Sequence, residues 1–161
     1  MENNNTEIKT VVDRVKTQLA DFYNGNNWVT DNFSKRIISL KQDDALKKMQ
    51  GFSHSVAELV GHMIAWRNFA VQKLTGNDEY DIEDDSREDW SDQQEWNTLC
   101  RAFELCHQDL LTAIENFPIN NWNAKVPGRN YSFIYLINGI IQHDYYHYGQ
   151  IGSVLAAIKK M

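Results

Sequence analysis

The run HDYYHYGQ, residues 143 to 150, sets His143 and His147 four positions apart. On a helix that spacing is about 40° of rotation and one turn of rise, so both imidazoles can face one ion. A single helix face rarely offers a third usable ligand, so a complete site needs a histidine from elsewhere. His62 is the best candidate, standing near Leu59, Trp66 and Phe69 at the border of an apolar helical stripe. Three neutral imidazoles would form a +2 site able to hold Zn, Ni, Fe, Mn or Co and leave a position for water. Spacing by itself equally allows histidines that hydrogen-bond within a core or sit at a bundle edge.

Chemistry beside such an ion calls for an acid or base, and the nearest carboxylates in sequence are Glu58 and Asp144. Asp144 lies about 60° from His147 on the helical wheel, and the expectation is a partner that orients an imidazole rather than the base itself. Gln150 follows His147 by three residues and can bond to a ligand ring, to a water on the ion, or across helices. Tyr145, Tyr146 and Tyr148 can offer hydroxyls to a substrate, but an aromatic cluster on a bundle helix more often fills the core or an interface. Arg129 and Trp66 are open to the same two readings. His54 is expected in an exposed loop, and His107 as a hydrogen-bonding core residue; neither is counted as a ligand.

The elements that must position these groups are helical. Only Pro118 and Pro127 interrupt the chain, strand-like alternation is lacking, and apolar residues recur at intervals of three and four. A first helix is expected over Thr6 to Tyr23, with Ile8, Val11, Val12, Val15, Leu19 and Phe22 on one stripe. Asn26 to Gln50 is weaker, with a helical piece suggested by Trp28, Phe33, Ile37, Ile38 and Leu40 and a short turn capped by Asp43 or Asp44 that ends near Met49. Ser55 and Glu58 fit a capping box that opens a second long helix, carrying His62 and ending at Leu74 before Gly76. A third runs from Trp96 to Phe117, stopped by Pro118. The fourth and longest, Ser132 to Lys159, holds His143 and His147 on the side of Leu136, Ile140 and Val154. Four major helices predict an all-α, antiparallel four-helix bundle in one domain, residues 1–161. The acidic stretch Asn77 to Asp92, with Arg87 as its one basic residue, reads as a solvated loop.

Composition excludes several partners. Sixteen basic residues against twenty-two acidic ones give a net charge of -6, which disfavours nucleic acid and anionic membrane surfaces. No stretch approaches the roughly eighteen apolar residues of a membrane span. The polar start, Met1 to Lys9, lacks the basic-then-apolar layout of an export signal, so a cytoplasmic protein is expected. Cys100 and Cys106, six residues apart and about 240° around a helix, read as reduced core residues rather than a disulfide.

Taken in order, HSVAELVGHMIAW, PGRNYSF and HDYYHYGQIG resemble the DinB-like superfamily over nearly the whole chain. Its more specific parts are the histidine followed four residues later by tryptophan and the terminal HxxxHxGQ. The resemblance implies the bundle of the YfiT-like metal-dependent hydrolases, in which one histidine of helix two and two of helix four hold a divalent metal. By motif position these are His62, His143 and His147. It further implies a small-molecule substrate, a homodimer, and a metal-dependent hydrolase or a low-molecular-weight-thiol S-transferase in stress or detoxification chemistry. The alternative is a non-catalytic bundle that metal stabilises or that senses metal.

Overall fold

A computed structural model of the chain describes residues 2–28, 32–82 and 95–159. Four long helices carry it: α1 (Glu2–Tyr23), α4 (Val56–Leu74), α5 (Trp96–Asn116) and α6 (Phe133–Ile158), with the short α2 (Phe33–Ile38) and α3 (Gln42–Leu46) between the first two. They pack as an antiparallel four-helix bundle, α4 lying against both α5 and α6 and α1 closing the other side of α5 and α6. The described residues contain no strand, only an isolated bridge between Lys125 and Ser132.

Each long helix follows from a stripe and a cap. In α1 the steps of three and four from Val12 through Val15 and Leu19 to Phe22 are all buried, whereas Val11, expected on the same stripe, is 38% exposed. Val11 lies at the edge of the arc these residues span, about 60° from its centre, where the helix face turns toward solvent. The expected capping box opens α4: Ser55 Oγ accepts from Glu58 N at 3.2 Å, and Ser55 N donates to Glu58 Oε2 at 2.6 Å. Ser132 caps α6 by accepting from Tyr135 N. Between the first two long helices, Phe33 and Ile37 anchor α2, while Ile38 and Trp28 point to solvent. Asn32 caps α2. α3 departs from expectation, because Lys41 occupies its cap position without a side-chain bond. Asp43 and Asp44 sit in the first turn instead, where carboxylates complement the positive end of the helix dipole.

The connector before α6 is more ordered than its polar composition suggests. Trp122 and Val126 are buried, Val126 N donates to Tyr131 O at 2.9 Å, and Arg129 N donates to Val126 O at 2.9 Å. Gly128 turns this loop with φ of 77°, a left-handed conformation that side-chained residues rarely adopt. The turn sets Arg129 and Tyr131 beside the first turns of α6. Part of the acidic stretch also packs. Asn77, Asp78 and Glu79 are exposed as expected, but Asp81 pairs with Arg129 and Ile82 is buried in the core, so the solvated-loop expectation fails at Ile82, and residues 83–92 lie outside the described part. No described helix is long and apolar enough to cross a membrane.

Candidate metal centre

Helix α4 projects His62, and α6 projects His143 and His147 from successive turns, into one buried corner of the bundle. His143 Nε2 lies 3.0 Å from His62 Nε2 and 3.0 Å from His147 Nε2. Their possible ligand atoms fall within 4.8 Å of one another, and the group could hold a metal ion. With metal to nitrogen bonds of 2.0–2.1 Å, adjacent ligand nitrogens stand about 2.9 Å apart in octahedral and about 3.3 Å apart in tetrahedral geometry. The two separations from His143 Nε2 fall in that interval.

Hydrogen bonding alone accounts for this convergence poorly. An imidazole nitrogen has one in-plane position, holding either a proton or a lone pair. His143 Nε2 meets two other nitrogens, so a linear hydrogen bond can join it to only one of them. An ion between the rings would engage a lone pair from each. An uncharged ring carries such a lone pair. Burial, with the charge of His54, pushes His62 down to about 4. Burial, then His147, His62 and Arg67, pushes His143 down to about 3. Burial also lowers His147 to about 4, against the hydrogen bond to Gln150. Near neutral pH all three rings are uncharged.

The supporting contacts differ from ring to ring. His147 Nδ1 donates to Gln150 Oε1 at 2.7 Å, which puts its proton on Nδ1 and aims the Nε2 lone pair inward. The Gln150 amide donates onward to Tyr146 Oη at 3.2 Å. His143 Nδ1 is buried with no hydrogen-bond partner. Its ring is held by packing instead, 6.0 Å from Trp66 and 4.2 Å from His147 between centroids.

The sequence profile of the DinB superfamily matches residues 27–151, a span that includes all three histidines. The chain belongs to the DinB superfamily. No curated protein and no solved structure matches it.

Of the two nearby carboxylates in this DinB-superfamily chain, Glu58 keeps the capping role expected of it, and the expectation that Asp144 orients an imidazole does not hold. Glu58 faces away from the histidines, capping α4 and receiving Lys48 Nζ at 2.8 Å. Burial would raise its carboxyl, but the bonds from Lys48 and Ser55 outweigh that and hold it low. Asp144 touches no imidazole. Both its oxygens take Arg67, Nε at 3.2 Å and Nη2 at 2.6 Å, in a pair with side-chain exposures of 1% and 0%. Burial holds the Asp144 carboxyl above its ordinary value, with the guanidinium pulling against it.

Sequence reasoning passed over Arg67, although the signal was there: HMIAWRNFA puts a lone charge in an apolar helix, as HDYY does for Asp144. Two such charges on different helices are affordable in a core only if they meet. Arg67 Nη1 also donates to His107 Nδ1 at 3.0 Å, so His107 is the core hydrogen-bonder expected. His54 is half-buried rather than exposed, and close enough to His62 and His147 to influence both. Tyr148 and Tyr145 belong to the core, whereas Tyr146 is 64% exposed beside Gln150. The two cysteines are free, as expected.

Proposed function

We propose that His62, His143 and His147 bind one divalent metal ion, Zn, Ni, Fe, Mn or Co, and that the site transfers a low-molecular-weight thiol to a small electrophilic substrate. The observation that carries the metal reading is the meeting of three neutral imidazoles, with His143 Nε2 at coordination spacing from both of the others. Such an ion supplies a Lewis acid that favours the thiolate of a bound thiol, or ionised water, and leaves positions open for substrate. The chain's own part is to hold the three rings, with Gln150 fixing the His147 tautomer and Trp66 backing His62 and His143. Thiol transfer is favoured over hydrolysis because Glu58 and Asp144 are both committed to ion pairs and neither serves as a base at the site. A thiolate nucleophile needs no such base once ionised.

The same commitment of both carboxylates supports a second reading, a non-catalytic bundle that the ion stabilises or through which metal is sensed. Metal-loaded protein assayed with small thiols and 1-chloro-2,4-dinitrobenzene, and separately with model amides, separates these readings. Thiol consumption lost in His143→Ala supports transfer, and turnover unchanged in that variant refutes it. A thermal shift with metal and no turnover on any substrate supports the second reading. A small-molecule substrate, a cytoplasmic setting and a homodimer belong to the same proposal; light scattering that returns the mass of one chain would refute the dimer.

A further inference from the structure

On α6, Tyr135, Gly139, His143 and His147 follow one another at four-residue steps and form a single stripe. Gly139 breaks that stripe for no reason of backbone or packing. It lies mid-helix without a positive φ, and a Cβ built there meets nothing within 4 Å. Glycine in a helix interior is less favourable than alanine, so the position gives up helix stability and gains only space.

The space is part of a groove of about 420 Å³, bordered by Trp66, Tyr131, Tyr135, Leu136 and Ile140 and reaching His143. That volume falls in the range of small-molecule sites. Its walls are mainly aromatic and aliphatic, with the uncharged Asn130 at one edge, Tyr131 and Tyr135 in contact at 5.4 Å and Trp66 tilted against His143 at 6.0 Å. Among the described residues one cation borders it, and that cation is already neutralised. Arg129 is paired with both oxygens of Asp81, and its guanidinium lies over Phe69 at 5.2 Å. The groove therefore offers ring faces and no unsatisfied charge, a surface that suits a flat, uncharged group.

We propose that this groove binds the uncharged aromatic body of the substrate, and that the missing side chain at Gly139 makes the room for it. The inference rests on the reading of the histidine cluster as the reacting centre, since contact with His143 would place the rest of the molecule beside it.

The test uses two fluorescent probes on metal-free protein, the neutral N-phenyl-1-naphthylamine and its anionic relative 8-anilinonaphthalene-1-sulfonate, with Gly139→Ala and Gly139→Leu beside the wild type. The neutral probe should bind the wild type more tightly than the anionic one. Binding should weaken slightly in Gly139→Ala and at least tenfold in Gly139→Leu, while both variants keep the wild type's metal content and circular dichroism. Equal neutral-probe binding in Gly139→Leu, or tighter binding of the anionic probe, would overturn the proposal. Because binding is read without metal, the groove can stand while metal loading fails, and the two readings fail separately.

Discussion

Replacing Asp144 with Asn should be among the most damaging single changes of comparable size. The side chain keeps its shape but leaves the Arg67 guanidinium, itself fully buried, with no counter-charge. Breaking a buried pair from one side costs about 3–5 kcal/mol. Arg67 retains an acceptor in His107 Nδ1 at 3.0 Å and the face of Phe103 at 4.6 Å, which favours the lower end, about 3 kcal/mol. For a chain of this length that is about 6–12 °C in melting temperature. The double replacement Arg67→Met with Asp144→Leu should recover most of the loss, since packed apolar residues often match a buried ion pair. Urea unfolding followed by circular dichroism measures both. The metal affinity of folded Asp144→Asn should stay close to wild type, because Asp144 touches none of the three rings. A loss below about 1 kcal/mol, or a double variant as unstable as the single one, would refute the reasoning.

Gln150→Ala should lower metal affinity about 10–100-fold by freeing the His147 tautomer, with little change in urea midpoint; competition against a chromogenic chelator reads it. Ser55→Ala should remove about 1 kcal/mol by opening the α4 capping box, seen in thermal melts with metal stoichiometry unchanged. Acid should destabilise the metal-free chain through His107, which burial and then Arg67 push down to about 3. The unfolded state binds the extra proton below about 6.5, so this contribution is whole above that pH and lost as pH falls toward 3. Between pH 7.5 and 5 it amounts to about 2 kcal/mol, which His107→Gln should abolish in paired urea titrations.

The bundle and the shared side of His143 and His147 were legible because both rest on short-range geometry, whereas His62 was joined to them mainly through the family resemblance. Periodicity of three and four marks the inward faces of α4, α5 and α6, and the four-residue step from His143 to His147 fixes their shared side. What sequence alone could not supply is which distant groups meet. Asp144 is one residue from His143, yet the turn of α6 sends it to Arg67 on α4 instead of to an imidazole. Glu58 is one turn from His62, and its place in the capping box draws it toward Ser55 and Lys48. Asp81 and Arg129 are far apart in sequence and meet because the loop turned at Gly128 brings Arg129 to the end of the acidic stretch. Local pattern predicts a face, whereas ion pairs depend on how faces from different helices register.

Metal content decides the central claim most directly. Protein stripped of metal, incubated in turn with Zn, Ni, Fe, Mn and Co salts, desalted and analysed by inductively coupled plasma mass spectrometry should retain about one equivalent of at least one ion per chain. Folded His62→Ala and His143→Ala should retain almost none. A wild-type chain that stays metal-free with every ion, or variants that hold as much metal as the wild type, would contradict the account.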